Sequence, residues 1–290
     1  MKPVDFDYER PDSLDAVCRR LAHFGGEAKI IAGGQTLVPL LAMRLARPAV
    51  LIDINRIAEL QGIAAANGHV AIRACTRQSV ALADAIVRTR VKLLAKALGF
   101  VGHGQTRNRG TIGGSLANAD PAAEIGIAAL TLDAEATACS TSGMRILPLA
   151  SFFHGPMETA LEPDECLSEI RFPVWPENGV GSGFQEVSIR HSDFALSAAA
   201  VQLRLDGDGV CRRIAVSVGG AGATPVRIPG AEQRLTGTRL EPRDIDAAAA
   251  IVRETIAPLS DQHASPLYRR RVAAALVARA ITEAQLEAEA

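Results

Sequence analysis

Aromatic residues are scarce in this 290-residue chain: Phe, Trp and Tyr make up 4%, with one Trp and two Tyr. That is too few for the stacking platforms of single-strand nucleic-acid binders. Neither sign of charge dominates. Lys and Arg number 31, Asp and Glu 32, and the net charge is -1. A basic footprint for nucleic acid or for an anionic membrane is therefore missing. Long apolar runs are also missing. The longest stretch without a charge, Ile30 to Met43, has 14 residues and contains Gly33, Gly34 and Pro39. A spanning helix needs about 20. The N-terminal residues include Asp5, Asp7, Glu9 and Arg10 with no apolar h-region, so no signal peptide is expected.

Metal-binding patterns are equally thin. The five cysteines (Cys18, Cys75, Cys139, Cys166, Cys211) are odd in number, scattered, and form no CxxC pair. That argues against a disulfide framework, a zinc ribbon or an iron–sulfur site. The six histidines form no HxH or HxxxH pair, so no metal site is expected. His103 lies in a glycine-rich segment, where it can touch a ligand or simply face solvent. There is no GxSxG motif. A soluble cytoplasmic protein is the expectation.

The chain does have a globular composition, 48% apolar and 22% charged, at a length that suggests about two domains. The pattern predicts a strand at 6–8 and a helix from Leu14, capped by Asp12 or Ser13 and closed by Gly25-Gly26. A strand at 29–32, a Gly-Gly turn, a helix at 37–45 and a strand at 50–54 follow. Further strands are predicted at 70–73, 134–139 and 166–172, with helices at 79–87, 91–98 and 122–132. Residues 173–183, PVWPENGVGSG, mark a domain boundary. Strands at 184–190, 194–205 and 210–218 come next, the last two joined through Asp206-Gly207-Asp208-Gly209. Helices at 229–235, 245–256 and 266–286 end the chain. No internal repeat or low-complexity tract appears.

Two glycine segments draw attention. In Ala32-Gly33-Gly34-Gln35-Thr36 the glycines stand between a predicted strand and a helix. Backbone amides there can turn toward an anion, helped by the helix N-terminus and the Thr36 hydroxyl. The segment is neither GxGxxG nor a Walker loop. It can equally be a plain tight turn. The second, Asn108 to Pro121, places Gly113-Gly114 beside Thr111, Ser115, Asn118 and Asp120. Two glycine turns flanked by hydroxyls suit a ligand with two phosphates, each charge-assisted hydrogen bond adding roughly 1.5–3 kcal/mol. A structural loop ending in an Asp-Pro turn is the competing reading.

Taken together, the ordered motifs resemble the FAD-binding medium subunit of the molybdenum hydroxylases, the xanthine dehydrogenase and carbon monoxide dehydrogenase family. The resemblance rests on Ala32–Thr36, Leu45-Ala46-Arg47-Pro48, Leu51-Ile52-Asp53-Ile54-Asn55, Arg107–Gly114 and Ala119-Asp120-Pro121. It continues with Arg190-His191-Ser192-Asp193-Phe194-Ala195, Asp261–Ser265 and Tyr268-Arg269, so it covers nearly the whole chain. The resemblance implies an α+β protein. A two-subdomain FAD-binding fold of the vanillyl-alcohol-oxidase-like type would span 1–176, with subdomains of about 1–57 and 58–176. A C-terminal α+β domain of the CO dehydrogenase flavoprotein type would span 177–290.

The resemblance also implies sites. Gly33, Gly34, Gln35 and Thr36, with Thr111, Ile112, Gly113, Gly114 and Ser115, would hold the FAD pyrophosphate, largely through backbone amides, and Ala32, Leu37 and Asn118 would also belong to the cofactor site. Lys29 and Ile31 would lie beside the adenosine. Asp120 and Glu124 would hydrogen-bond the ribityl or ribose region. Leu167 would be an apolar contact, and Val101 and Gly102 would lie near the isoalloxazine. No catalytic acid, base or nucleophile and no metal ligand is implied. FAD would be noncovalent. The molybdenum cofactor and two 2Fe-2S clusters would reside in large and small partner subunits, the complex being duplicated to a heterohexamer. Electrons would pass from a partner cluster through FAD to NAD, oxygen or a quinone. A stand-alone FAD oxidase would need a covalent-flavin residue or a substrate cap, neither of which is evident. A flavin-free structural subunit would have little use for intact Gly33-Gly34 and Gly113-Gly114.

Overall fold

The computed structural model describes residues 2–190 and 192–290. The chain opens with β1 (Asp7–Glu9), α1 (Leu14–Phe24), β2 (Ala28–Ile31), α2 (Leu37–Ala42) and β3 (Val50–Asp53). The three strands form a parallel sheet in the order β1-β3-β2. Ser13 Oγ accepts from Ala16 N and starts α1. Val17, Cys18 and Leu21 then fall on one buried face. They pack with Val50, Ile52, Ile54 and Ile57 in a small core.

The second unit begins with β4 (Ile63–Ala66) and β5 (His69–Arg73). It continues through α3 (Gln78–Ala83), α4 (Ala85–Arg90), α5 (Lys92–Phe100), α6 (Gly104–Arg109), α7 (Ile112–Asn118) and α8 (Glu124–Thr131). The chain then returns as β6 (Glu135–Ser140) and β7 (Gly143–Pro148), the small hairpin β8 (Phe153–Gly155) and β9 (Glu158–Thr159), and β10 (Cys166–Pro173). The main sheet has the order β4-β5-β10-β6-β7. The central strand β10 is antiparallel to both neighbours and buried along nearly its whole length.

The third unit is an antiparallel sheet, β11 (Val180–Ser188), β12 (Ala195–Leu205), β13 (Cys211–Gly219) and β14 (Val226–Arg227). Helices α9 (Pro229–Leu235), α10 (Pro242–Thr255) and α11 (Pro266–Glu289) cover it. Two glycines of the Pro/Gly-rich stretch belong to the strand. A Cβ on Gly181 or Gly183 would strike the carbonyl oxygens of Ala284 and Ala280 on α11, so their smallness seats the long helix on the sheet.

Some expectations change. The 79–87 helix is two helices, because Asp84 breaks it and caps α4 through Ile86 N and Val87 N. The glycine-rich 99–114 segment contains a helix, α6, and the second Gly-Gly lies inside α7. Strands β4, β7, β8, β9 and β14 went unpredicted. Four of the five cysteines are not scattered in space: Cys18, Cys75, Cys139 and Cys166 share the small core. Burial raises the thiols of Cys18 to about 11 and Cys75 to about 12 and pushes that of Cys166 up as well, and all four cysteines are buried, free and packed as apolar filler. Among the described residues no helix is long and apolar enough to cross a membrane, and no group of His, Cys, Asp or Glu is arranged to hold a metal.

Candidate functional site

A cleft of about 660 Å³ runs between the first two units and reaches the third. That size is typical of a small-molecule or cofactor site. The strand-to-helix turn 32–36 forms one wall, α7 and the start of α8 form another, and Ser192–Ala195 closes one side.

The two glycine segments meet directly. A Cβ on Gly33 would overlap the Arg109 carbonyl oxygen and come within 2.8 Å of Gly110 Cα. Only glycine allows this backbone-to-backbone approach. A hydrogen-bond chain holds it in place. Tyr8 Oη donates to Asp53, and Asn55 Nδ2 donates to Asp53 Oδ1 and to the Ala32 carbonyl, both at 2.7 Å. Asn55 Oδ1 accepts from Arg77 Nη2 at 2.7 Å, and Arg77 Nη1 donates to the Arg109 carbonyl. Residues following β3 and preceding α3 thus pin the end of β2 to the end of α6.

The two segments differ in what they offer a ligand. Gly34 has φ of 71°. The backbone amides of Gly33, Gly34, Gln35 and Thr36 find no protein acceptor among the described residues. They form an open cradle ahead of α2. The second segment differs from expectation. The amides of Ile112, Gly113 and Ser115 donate to the carbonyls of Thr76, Ala74 and Thr111, and Gly114 N donates to Thr111 Oγ1. Gly114 is not in the left-handed region; a Cβ there would meet the capping hydroxyl at 2.5 Å. The second segment therefore presents side chains, chiefly Ser115, Asn118 and Asp120, rather than free amides.

Placement of the other expected residues is mixed. Lys29, Ala32, Leu37, Val101, Gly102, Thr111, Gly113, Glu124 and Leu167 line the cleft. Ile31 and Ile112 do not. Ile112 is fully buried beneath α7 in the core of the second unit. Ile31 packs under the first turn, near the position a Gly34 Cβ would take. Asp120 is partly committed, since its Oδ1 accepts from Ala122 N at 2.9 Å. His103 is exposed at the start of α6, and His191 lies outside the described residues.

Glu124 opens α8 at the cleft wall. Burial raises its carboxyl to about 7, with the charge of Asp120 adding and Arg107 opposing. Burial likewise raises Glu186 on β11 to about 8, with the Glu124 charge adding. Glu186 Oε2 is buried with no partner among the described residues. Near neutral pH Glu186 is thus largely protonated and Glu124 about half so.

Several lining residues were not anticipated. Gln78 is buried at 5% exposure, and its Oε1 has no partner among the described residues. Met157, Cys166 and Asp193 also line the cleft. Phe194 is an aromatic at the cleft side with 75% exposure. It sits in a motif that carried the resemblance, but nothing in the local pattern marked it as a lining residue. An aromatic left open beside a cleft is the one signal that exposure adds.

Comparison with known proteins bears on this geometry. The family described as FAD binding domain in molybdopterin dehydrogenase matches residues 4–175. The family described as CO dehydrogenase flavoprotein C-terminal domain matches residues 182–284. The chain belongs to the FAD-binding subunits of the molybdenum hydroxylase family. The chain is 40% identical over 284 residues to the 6-hydroxypseudooxynicotine dehydrogenase complex subunit alpha of Paenarthrobacter nicotinovorans, covering 98% of this chain and 96% of the relative. The fold superposes on a chain of carbon monoxide dehydrogenase from Hydrogenophaga pseudoflava with a TM-score of 0.96 at 33% identity, over 99% of each chain. It superposes on a chain of quinoline 2-oxidoreductase from Pseudomonas putida 86 with a TM-score of 0.95 at 34% identity, over all of each chain. As a family member the chain is an FAD-binding component of an oxidoreductase complex.

The residues present fit FAD. The open amide cradle at 33–36 suits a pyrophosphate, and the unpaired Gln78 oxygen can accept from a ligand donor. The cleft between them offers both polar and apolar walls.

Proposed function

We propose that this chain is the electron-transfer subunit of a three-subunit molybdenum hydroxylase. The large partner would hold the molybdenum cofactor and the small partner the 2Fe-2S clusters. In this reading the 33–36 amides and the Thr36 hydroxyl bind the pyrophosphate, while Ser115, Asn118 and Asp120 bind the sugar and ribityl region. Lys29 borders the adenosine end. Val101, Gly102, Leu167 and Phe194 bound the ring end, and Phe194 supplies the aromatic face. Bound FAD accepts electrons singly and releases them in pairs. The protein's own part is to bind, orient and partly shield it. Electrons would arrive from a cluster of the small partner, docked near the exposed face of α6, and leave to NAD, oxygen or a quinone. Two trimers would pair as a heterohexamer in the cytoplasm.

The observation that carries this reading is the cradle of four unpaired amides inside a chain-long family match. A second consideration supports placing substrate choice elsewhere. Similar chains belong to enzymes named for carbon monoxide and for quinoline, at 33% and 34% identity. Two such unlike molecules leave no mark on how this chain resembles either. No step of substrate hydroxylation is assigned to its residues.

The test is anaerobic reduction of the purified complex by its organic substrate, followed at the flavin band. The band should bleach in the complex, and the same substrate should leave the isolated flavoprotein unchanged. Bleaching of the isolated chain would instead make it a self-contained oxidase.

A further inference from the structure

The short linker between α5 and α6 has its peptides turned by a side chain of the following helix. Val101 and Gly102 in this linker line the cleft, whereas Arg107 on α6 stands outside the lining and is half-buried. Arg107 Nη1 donates to both linker carbonyls, to Val101 O at 2.8 Å and to Gly102 O at 2.7 Å. Gly102 has φ of 45°, the left-handed conformation that lets two successive carbonyls face one donor. A Cβ at this position would press on the Thr106 side chain at 3.2 Å. The same guanidinium also faces the Glu124 carboxyl at the start of α8.

In a trans peptide the N–H points opposite to the C=O that precedes it, and the chain has no cis peptide among its described residues. With the Val101 carbonyl drawn toward Arg107, the Gly102 amide is turned the other way, to the side on which Gly102 meets the cleft. That amide finds no protein acceptor among the described residues. Helices α5 and α6 fix the path of the linker at its two ends, and the buried Val101 side chain holds its own position in the core of the second unit. Neither sets the tilt of the peptides on either side of Gly102. The paired hydrogen bonds from Arg107 do.

We infer that Arg107 is a positioning residue: by holding the Val101 and Gly102 carbonyls behind the cleft wall, it presents the Gly102 amide to the ring end of the bound cofactor, where this donor favours the reduced ring over the oxidised one. This rests on the flavin reading above, in which Val101 and Gly102 bound that end. The arginine touches no ligand itself. Reduction adds an electron pair and a proton to the ring and leaves it one charge more negative. The electrons come from the partner's cluster in the complex, and the proton comes from water in the cleft. A donor fixed in advance toward the developing charge is strengthened by it, because a hydrogen bond to a charged acceptor is worth more than one to a neutral acceptor.

The experiment measures two quantities on the full-length chain. Affinity for oxidised FAD is read by flavin fluorescence, and the flavin reduction potential by equilibration with a reference dye during titration with dithionite, which is oxidised to sulfite. Melting temperature is followed alongside. Wild type, Arg107→Met, Arg107→Lys, Gly102→Ala and the double variant Gly102→Ala/Arg107→Met are compared. Arg107→Met should lower the potential by an amount equivalent to holding reduced FAD about three- to tenfold more weakly relative to oxidised FAD. Gly102→Ala leaves every charge in place and disturbs the same peptides, so it should move the potential in the same direction. Arg107→Lys keeps the charge without the planar grip on both carbonyls and should also fall below wild type. The double variant should lie no lower than Arg107→Met, because both changes act on one donor. A merely structural arginine would lower the melting temperature and weaken both redox states alike, leaving the potential unchanged. An unchanged potential in Arg107→Met, a wild-type potential in Arg107→Lys beside a lowered one in Arg107→Met, or full additivity in the double variant would overturn the inference. Where Arg107→Met does not fold, Arg107→Lys and Gly102→Ala decide it: both below wild type supports the inference, and either at the wild-type potential overturns it. A wild-type chain that binds no FAD would overturn the flavin reading and this inference with it.

Discussion

At the residue scale, the two glycines of the first segment do different jobs. Gly33 permits contact with the Arg109–Gly110 backbone, whereas Gly34 supplies a left-handed turn at φ of 71°. Gly33→Ala must push the two units apart and should abolish flavin retention. Gly34→Ala strains its own backbone, at about 1–2 kcal/mol, and crowds the Val38 side chain at 3.1 Å without touching the other unit. It should weaken FAD while leaving the chain folded, as flavin content beside circular dichroism will show. Equal loss in both variants would contradict this division. Glu186 offers a pH test. Its carboxyl is raised by burial from 4.5 to about 8. Between those values the unfolded chain has lost the proton and the native chain keeps it, so stability falls as pH rises through this window and is fully retained only below it. Glu186→Gln removes the penalty. Its melting temperature should exceed wild type at pH 8.5, match it near pH 4.5, and diverge in between by up to about 1.4 kcal/mol per pH unit. A pH-independent difference would mean the carboxyl is not protonated in the fold.

Elements bind the units together through a few polar clasps. Lys96 on α5 donates to the Ser182 carbonyl at 2.6 Å and pairs with Glu283 and Glu287 on α11, both at 2.7 Å. Lys96→Met leaves a strand carbonyl and two carboxylates without their shared cation. It should cost about 1–3 kcal/mol and speed proteolysis near residue 180, with flavin binding nearly unchanged. Asn55→Ala should do the reverse. It cuts the Ala32–Asn55–Arg77–Arg109 chain, so flavin loss should exceed the fall in melting temperature.

Much of the element pattern was legible in the sequence. Apolar runs or helical apolar spacing marked β2, α2, β3, β10, β12 and α9 within a few residues, because each is buried against its neighbours, β10 and β12 on both faces. What escaped had a physical reason. β7 is an edge strand with Met144 and Ile146 exposed, so no alternation marks it. The second Gly-Gly read as a loop because glycine is a poor helix former. There it is required inside α7, where a Cβ on Gly113 would strike Ala74 at 2.5 Å. For the cleft, ordered motifs located both glycine walls. They could not show that the amides of one wall are already spent, nor that Phe194 and Gln78 reach the same space from distant segments.

At the scale of the whole molecule, three packed units leave a cleft where they meet, and the proposed reading gives that cleft to the FAD of this FAD-binding family. In the proposed reading the electron donor is a cluster of another polypeptide, and the four cysteines of the small core serve as buried filler. The most direct test of this account is flavin extraction from the purified chain by acid precipitation, with the supernatant identified by chromatography and quantified against protein. The account predicts FAD, released into the supernatant, at about one per chain. Colour retained in the pellet, FMN in place of FAD, or a chain that neither carries nor takes up flavin would contradict it.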